Sequence, residues 1–536
     1  MLFLRSRSLA ALAVLHGLCF GQAHSAATLH WPDPQLDFLE DTLYSINSIG
    51  FLTENCDPRQ NTTIAAQWLR LAYHDMSTHD ATDGSGGLDA SMIYELDRPQ
   101  NVGIGMQQSL QDFVFFRTPY VGFADMIAMG VVMGVASCGG PIIPFRGGRV
   151  DAKVAGPATV PEPQQDLASH IASFNRQGFT QAEMIALVAC GHTLGGVRRD
   201  DFPLIVDEKA PDGFGDFDGT AASRTSFDNA VVLEYLNGTT TNPLVASANV
   251  TARSDLRIFS SDGNSTMHRL ASSNDFSETC KALLEQMINT VPKDVKLTDV
   301  IDPLENKVGS ALLYTKNGSY VLQTNLRRLS VNPNRTVTLF WKERQTQGSL
   351  CPSTGCSVSS TRVSLDPPSF LGELRGIQKL SNYKFTTQIP LNASIAKFWF
   401  EVDEKDGSAP SIVDNDDGSG FEIDQDTVLF DPSRTTIVSE GFSGVFVIVV
   451  GVKDDILNAG GADAPHLTLE SFEPGTQDFI AKIETVSLQR DTTHSPADGY
   501  TFFTGNISTG ATAMHVHATV GGQKFTQYVV ANDFMA

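Results

Sequence analysis

The chain has 536 residues and a formal net charge of -23 at pH 7, and 18% of its residues are charged. This length exceeds what one ordinary hydrophobic core holds and predicts two domains or more. The negative charge argues against nucleic acid as a partner because acidic surfaces repel phosphate. We expect a monomer.

Residues 1–25 have the pattern of a secretory signal peptide. Arg5 and Arg7 form a charged start, an apolar run follows from Leu9 to Cys19, and Ala23–Ala27 offers small residues for cleavage. A membrane anchor is the alternative, but the run falls short of the roughly 20 residues that span a bilayer. We therefore expect a secreted, extracellular protein without a membrane partner.

The cysteines and the glycosylation signals also fit a protein that passes through the secretory pathway. If cleavage falls near Ser25, Cys19 is removed from the 7 cysteines and an even number remains, as a set of disulfides in an exported chain requires. Signals for N-glycosylation occur at Asn61, Asn237, Asn249, Asn264, Asn317, Asn334, Asn392 and Asn506.

Residues 28–305 are predicted to form a mainly α domain. Apolar residues recur at helical spacing in the segments Leu36–Ile46, Ile64–Tyr73, Met106–Phe116, Ala124–Val135, Gln181–Val188 and Cys280–Ile288. Long loops separate them, notably Ser77–Gly87 and Arg199–Thr225. Loops of that length inside a compact domain are usually functional or are held by ions.

Residues 309–536 are predicted to form an all-β, sandwich-like domain, or two smaller ones. Short runs alternate apolar and polar residues between turn signals, as in Tyr320–Thr324, Thr336–Trp341, Lys397–Val402 and Phe446–Val450. No strong helix is predicted in this part.

Two histidines stand in informative surroundings. Arg70 and His74 are four residues apart in a predicted helix and share a face, with Tyr73 alongside. A neutral imidazole can take a proton from a peroxide and return it to the departing oxygen, while a guanidinium stabilises the developing negative charge. His192 ends a second predicted helix, which suits an axial metal ligand. By itself, the His74 motif also fits a polar position on an amphipathic helix.

Together the two motifs resemble the two faces of the haem pocket in secreted fungal haem peroxidases of the plant-type superfamily, class II-like. The resemblance implies haem b between His74 and His192, with His192 as the iron ligand and Arg70, His74 and Asn101 as catalytic residues. Asn101 would accept a hydrogen bond from His74 and keep the other ring nitrogen basic, although a helix-capping Asn explains it equally well. Tyr73 stands where the family usually has Phe or Trp.

On the proximal side, the resemblance implies that Asp255 accepts the other ring N–H of His192. Such a bond makes the imidazole a stronger electron donor. Taken alone, Asp255 could equally be a helix N-cap. Phe217 falls where the family places an aromatic ring near the haem, and a Phe there favours a porphyrin-centred radical over a side-chain radical.

The resemblance also implies two calcium ions held by oxygen ligands. The distal ligands are Asp75, Gly87, Asp89 and Ser91. The proximal ligands are Thr193, Asp218, Thr220, Asp228 and, through its carbonyl, Ser226. This chain has a few more residues than the family between Thr220 and Phe227, which bears mainly on the Ser226 carbonyl.

Three cysteine pairs follow with different support. The resemblance implies Cys56 with Cys138, and the short spacing of Cys351 and Cys356 suits a small loop. Cys190 with Cys280 is left by subtraction.

The expected reductants are small phenols or similar molecules, oxidised with hydrogen peroxide at an exposed haem edge. Manganese-oxidising members carry two glutamates where this chain has Thr63 and Gln67, and lignin-type members carry a surface Trp at the position of Leu187. Trp68 is expected to pack. Oxidation of ascorbate or cytochrome c stays open.

The C-terminal part gives weaker signals. His515 and His517 lie two apart on a predicted strand and would face one side; copper or zinc could bind there, but a solvated strand face is the preferred interpretation. Asp414–Gly418 is expected to be an acidic surface loop. The alternative to an active peroxidase is a catalytically silent secreted protein that binds cell-wall polysaccharide through the β domain. The active enzyme is favoured because a silent protein has no physical need for all five residues of the two histidine sites, which are Arg70, His74, Asn101, His192 and Asp255.

Overall fold

The computed structural model describes residues 30–534, except 46–48, 55, 207–209, 221–223, 346–350, 352–355, 361, 416–417, 441–442 and 460–463. The predicted signal peptide therefore lies outside the described residues, as do Asp416 and Asp417 of the acidic loop. Over the described ranges, no helix combines the length and the apolar character needed to cross a membrane.

Helices dominate the chain as far as Asn289. They are α1 (Pro34–Tyr44), α2 (Ile64–Met76), α3 (Ile104–Phe113), α4 (Phe123–Ser137), α5 (Leu167–Arg176), α6 (Gln181–Gly191), α7 (Ala230–Asn237), α8 (Pro243–Ala246), α9 (Ser254–Phe259), α10 (Ser265–Leu270) and α11 (Ser273–Asn289). Two short hairpin-like pairs accompany them, β1 (Pro58–Arg59) with β2 (Thr62–Thr63) and β3 (Gly196–Arg198) with β4 (Phe214–Asp216).

Strands dominate from Asn306 onward. They are β5 (Asn306–Val308), β6 (Leu312–Lys316), β7 (Ser319–Arg328), β8 (Thr336–Lys342), β9 (Cys356–Ser359), β10 (Arg362–Asp366), β11 (Leu380–Pro390), β12 (Lys397–Asp403), β13 (Ser411–Val413), β14 (Phe421–Glu422), β15 (Val428–Phe430), β16 (Thr436–Glu440), β17 (Ser443–Lys453), β18 (His466–Glu473), β19 (Lys482–Ser487), β20 (Gln489–Arg490), β21 (Tyr500–Ser508), β22 (Ala513–Val520) and β23 (Gln523–Val530). Two short helices interrupt them, α12 (Phe370–Leu374) and α13 (Asp454–Ala459).

The predicted fold class is confirmed, a mainly α part followed by an all-β part. Each of the six predicted helical segments overlaps an observed helix, and the four predicted strand segments lie within β7, β8, β12 and β17. The expected loop Arg199–Thr225 differs, because β4 lies inside it and pairs with β3.

The helical core is built around α4. Every residue from Phe123 to Ala136 is buried in this helix, which packs against the distal helix α2. Trp68 of α2 is fully buried, its ring lies 4.9 Å from that of Phe113, and its indole N–H donates to Asp112 at 2.7 Å. The expectation that Trp68 is a packing residue is confirmed. Burial of this mostly apolar helix, whose one carboxylate, Asp125, pairs with Arg149, fixes α2 in place, and α2 carries the distal residues.

The β part has two hydrophobic cores. One lies between the sheet β10-β11-β7-β5, which β6 joins, and the sheet β13-β12-β8-β9, which β14 joins; Leu322, Phe385 and Phe398 are among its centres. The other lies between β15-β17-β21-β20, with β16, and β19-β18-β22-β23; Ile448 and Met514 are among its centres. All these strand pairs are antiparallel.

A buried ion cluster joins the helical part to the β part. Glu40 of α1 accepts from Arg327 of β7 at 2.7 and 2.9 Å and from Lys307 of β5 at 3.1 Å. Asp37 and Asp41 add carboxylates at 3.3 and 2.9 Å from the Lys307 ammonium. Burial of such charges is tolerated because each has opposite partners at hydrogen-bond distance.

The cysteines within the described ranges form three disulfides, Cys56–Cys138, Cys190–Cys280 and Cys351–Cys356. All three predicted pairs are confirmed. The first ties the segment before α2 to the end of α4, and the second ties α6 to α11.

Candidate active site

One cavity of about 760 Å³ lies between α2 and α6. Arg70, Tyr73 and His74 line it from α2, and His192 lines it from the end of α6. The remaining wall is largely apolar, with Leu187, Leu194, Ile205, Phe217 and Leu244 among its residues. A large, mostly apolar cavity with a few polar groups is typical of a cofactor site. The two histidines that the sequence singles out thus face the same space.

The protonation of His74 is fixed by Asn101. The Nδ1 atom of His74 lies 2.8 Å from Oδ1 of Asn101, while Nδ2 of Asn101 donates to the carbonyl of Glu95 at 2.9 Å. Because the amide N–H is used on Glu95, the Asn101 oxygen faces His74 and accepts its Nδ1–H. This leaves Nε2 unprotonated. Burial lowers the pKa of His74 to about 3, with a further decrease from the Arg70 charge, so the ring is a neutral base at ordinary pH.

Arg70 lies one turn before His74 on the same face of α2. Its guanidinium donates to the carbonyls of Gln100 and Val102, both at 3.2 Å, and lies 5.7 Å from the centre of the Phe202 ring. Burial lowers the pKa of Arg70 to about 10, and the nearby Asp201 opposes that decrease. The group therefore stays positively charged at neutral pH.

Tyr73 occupies the third distal position. Its ring stacks against Phe174 at 5.9 Å and meets the His74 ring edge-on at 6.2 Å. Burial raises the pKa of Tyr73 above its ordinary value, so its hydroxyl stays protonated. The ring packs as a Phe or Trp would, and the hydroxyl adds one polar group beside the cavity.

His192 is held by Asp255. A capping box of Thr180 and Glu183 starts α6, and His192 caps its C-terminal end. Its Nδ1 lies 2.7 Å from Oδ2 of Asp255, a carboxylate that is 1% exposed. Since this contact engages Nδ1, Nε2 is the ring nitrogen available to a metal. The two residues lie 63 positions apart in sequence.

Asn242 is a member of the proximal site that sequence reasoning missed. It is fully buried, and its Nδ2 donates to Oδ2 of Asp255 at 2.9 Å. Its Oδ1 caps α8 by accepting from the Leu244 N–H at 2.8 Å. The one local signal was Asn before Pro243, which marks a helix start and says nothing about Asp255.

Phe217 lies flat against the His192 ring, with ring centres 4.3 Å apart and an angle of 14°. It also lines the cavity. Phe217 therefore orients the imidazole by stacking, and its side chain has no polar atom that could bond to Asp255.

This donor set fits a haem. An imidazole with its second nitrogen bound to a carboxylate is a suitable axial ligand for iron. The apolar wall suits a porphyrin. The side of the cavity opposite His192 carries a neutral base, His74, and a cation, Arg70.

The residues predicted to bind the distal calcium ion lie close together. Both carboxylate oxygens of Asp75 accept backbone N–H groups, from Ala90 at 2.7 Å and Met92 at 2.9 Å. Asp89 accepts from the Ser91 N–H at 3.1 Å, and the Ser91 hydroxyl is buried. Gly87 has its carbonyl 3.4 Å from the Thr78 hydroxyl. Burial, and then repulsion from Asp89, raises the pKa of Asp75 well above its ordinary value. Two buried carboxylates beside a buried hydroxyl fit a hard cation.

The residues predicted to bind the proximal calcium ion form two neighbouring groups. Thr193 donates its hydroxyl to the Asp228 carbonyl, and the Ser226 hydroxyl lies 2.8 Å from Oδ2 of Asp228. Thr220 donates through both N–H and hydroxyl to Asp218, at 2.9 and 2.6 Å. Burial raises the pKa of Asp218, and Asp228 contributes repulsion. The donors again suit a hard cation, while residues 221–223 of the longer connection lie outside the described ranges.

Three further positions bear on which reductants the site could oxidise. Thr63 is buried and caps α2, and Gln67 accepts a hydrogen bond from Arg59 at 2.6 Å. Leu187 is 4% exposed and lines the cavity.

Comparison with known proteins gives matches to peroxidases. Residues 52–273 match the peroxidase family profile. A WSC domain-containing protein of Arthroderma benhamiae is 35% identical over 389 residues, which are 69% of this chain and 52% of that protein. The L-ascorbate peroxidase 5 of Arabidopsis thaliana, described as peroxisomal, is 35% identical over 176 residues, 32% of this chain and 58% of that protein. The mitochondrial cytochrome c peroxidase of Candida albicans is 34% identical over 157 residues, 28% of this chain and 42% of that protein. The chain thus spans about half the length of the curated relatives it matches.

Proposed function

The chain carries a peroxidase domain of the plant-type superfamily, and from this premise we propose that it is an active haem peroxidase that reduces hydrogen peroxide and oxidises small phenolic reductants by one-electron steps. The observation that supports this most is the pairing of two oriented imidazoles in one cavity. His74 is held by Asn101, and His192 is held by Asp255.

Haem b would be held by the Nε2 of His192 and by the apolar wall of the cavity. When bound, haem supplies the iron at which the O–O bond of peroxide is cleaved and the oxidising equivalents that reductants then consume. Asp255 strengthens the electron donation of His192 by accepting its Nδ1–H, and Phe217 keeps the ring plane fixed.

On the distal side, His74 moves a proton. Its unprotonated Nε2 accepts the proton of hydrogen peroxide and gives it back to the departing oxygen, which leaves as water. Arg70 stays cationic and stabilises the negative charge that develops as the bond breaks. The Tyr73 ring limits the access of water to this side of the cavity.

Two calcium ions would stabilise the two halves of the site. The distal ion would be held by Asp75, Gly87, Asp89 and Ser91, directly after the helix turn that carries His74. The proximal ion would be held by Thr193, Asp218, Thr220, Ser226 and Asp228, next to His192. Each ion would therefore fix the chain beside one histidine.

The proposed reductants are small phenols or similar molecules that reach the haem edge. Thr63 and Gln67 offer no carboxylate for manganese, since Thr63 is used as a helix cap and Gln67 is bonded to Arg59. Leu187 is buried in the cavity wall and offers no surface Trp for bulky substrates. These positions favour direct oxidation at the haem edge.

We also propose that the protein is secreted and glycosylated. In the structure, each of the eight Asn residues that carry glycosylation signals is exposed or half-exposed, and the three disulfides suit an oxidising compartment. Treatment of the protein from its natural source with an N-glycosidase should reduce its apparent mass. An unchanged mass would count against this route.

The proposed activity is tested with the haem-loaded full chain. The protein should show a Soret band and should oxidise a phenolic dye only when hydrogen peroxide is present. A protein that binds haem but oxidises no phenol would support the silent, wall-binding alternative instead. A protein that binds no haem would contradict both the enzyme and the cofactor.

A further inference from the structure

His515 and His517 lie on β22, where the β part meets the helical part. Their rings are stacked, with centres 5.6 Å apart and an angle of 13°. The sequence favoured a solvated strand face, but the side chain of His515 is only 14% exposed. It is covered in part by Tyr120, which belongs to the segment that precedes α4.

A carboxylate stands directly across from these rings. In the antiparallel pairing of β18 with β22, Glu470 is opposite His515. The Glu470 carboxylate lies 4.0 Å from Nδ1 of His515. One ligand atom each from Glu470, His515 and His517 can be chosen so that all three lie within 4.8 Å of one another.

Neighbouring hydroxyls occupy the other ring nitrogens. Nε2 of His515 lies 2.7 Å from the Tyr120 hydroxyl, and Nδ1 of His517 lies 3.2 Å from the Thr526 hydroxyl. The nitrogens left for a ligand are therefore Nδ1 of His515, which faces Glu470, and Nε2 of His517. Metal-binding histidines usually have their second nitrogen bonded in this way, because that bond fixes the ring and the tautomer.

From this arrangement we infer that Glu470, His515 and His517 form a binding site for one divalent transition-metal ion, Zn²⁺ or Cu²⁺, at the junction of the helical and β parts. Two imidazoles and a carboxylate suit these ions, whereas calcium and magnesium prefer oxygen ligands only. Metal–nitrogen bonds of about 2.0–2.1 Å bring ligand atoms to roughly 3.3 Å from one another, so modest side-chain rotations close the site. A water molecule completes the coordination.

The other group of three potential metal ligands among the described residues cannot bind a metal ion through its cysteines. It consists of Glu343, Cys351 and Cys356, but the two cysteines are joined in a disulfide and offer no thiolate. The site at Glu470 does not depend on the proposed peroxidase chemistry.

The test is calorimetric titration of the full chain with zinc chloride, in a buffer that contains excess calcium to fill the oxygen-ligand sites. We expect one zinc ion per chain in the micromolar range or tighter. His517→Ala should weaken binding by at least about 100-fold, and Tyr120→Phe, which removes only the hydroxyl bonded to His515, by about 10-fold. Glu470→Gln, which changes no side-chain volume, repeats the test if His517→Ala fails to fold.

The matched control is His494→Ala. His494 lies 2.7 Å from the carboxylate of Asp491 and belongs to neither group of three potential metal ligands among the described residues, so its loss should leave zinc affinity within about twofold, well below the roughly 10-fold expected for Tyr120→Phe. With Cu²⁺, the electron paramagnetic resonance spectrum should show coupling to two nitrogens, and to one in His517→Ala. Absence of one-to-one binding, or unchanged affinity in both His517→Ala and Glu470→Gln, would overturn the site.

Discussion

Asn242 donates a hydrogen bond of 2.9 Å to Oδ2 of Asp255, the same oxygen that Nδ1 of His192 meets at 2.7 Å. The Asp255 carboxylate is therefore shared between a neutral amide and the proposed iron ligand. Whatever weakens one of these bonds strengthens the other, because both draw on the same negative charge.

The first prediction concerns this shared oxygen. In Asn242→Ala, Asp255 should bind His192 more strongly, the imidazole should donate more electron density, and the ferric form should be stabilised. The reduction potential of the haem-loaded protein should fall by roughly 20–60 mV, where 59 mV corresponds to a tenfold change for one electron. Asn242→Ser can still cap α8 but is too short to reach Asp255. Spectroelectrochemistry should give the same decrease for both variants, and a decrease in Asn242→Ala alone would assign the effect to the cap.

The second prediction concerns pH. Burial and the Arg70 charge lower the pKa of His74 to about 3, whereas an ordinary histidine titrates near 6.5. Since the base works only when unprotonated, the rate of reaction with hydrogen peroxide should stay level from pH 7 down to about pH 4 and fall below that. Asn101→Asp places a negative charge beside the ring and should move the fall to higher pH. A wild-type rate that already halves near pH 6 would contradict this account of the distal site.

The third prediction concerns calcium. Without a cation, burial raises the pKa values of both Asp75 and Asp89. A carboxylate with a raised pKa in the folded state stabilises the protein below its ordinary pKa, and that stability is lost as pH rises through the raised value. Calcium-depleted protein should therefore lose melting temperature as pH rises above the ordinary carboxylate range of about 4, while calcium-loaded protein should change little. Asp89→Asn should reduce this difference. Equal melting temperatures with and without calcium at pH 8 would count against the distal site.

The fourth prediction concerns the ion cluster between the two parts. Lys307→Met removes the cation that the buried Glu40 shares with Asp37 and Asp41 and should cost about 3 kcal/mol of stability, as broken buried pairs do. The control is Lys405→Met, which breaks an ion pair to Asp403 at a lysine that is 49% exposed and should cost under about 1 kcal/mol. Urea unfolding followed by circular dichroism compares them. Equal losses would show that the cluster does not hold the parts together.

Much of the helical fold follows from local pattern. Apolar residues at helical spacing located α2, α4 and α6, which form the core and carry the site. The short helices from α7 to α10 were missed because four to eight residues carry too little periodicity to stand out. Helix α1 begins two residues before the predicted start at Leu36, because Asp33 caps its N-terminus and Pro34 occupies its first position.

Contacts between distant residues were predictable only through resemblance, or not at all. The contact of Asp255 with His192 spans 63 positions and followed from the family motifs. Asn242 donates to the same carboxylate from the start of α8, and no local sequence pattern predicts this contact. Likewise, His515 and His517 were visible as a pair on one strand face, but Glu470 joins them only through the register of β18 against β22. Strand register between distant segments is a tertiary property.

The most direct test of the central claim is the stopped-flow rate constant for hydrogen peroxide with haem-loaded His74→Ala. The rate should fall by about 10²–10⁴-fold, the scale of a lost general base, while the Soret band shows that haem is retained. His268→Ala, which removes an exposed histidine on α10, should react like the wild type. If His74→Ala reacts with peroxide as fast as the wild type, His74 does not move the proton and the proposed site is wrong.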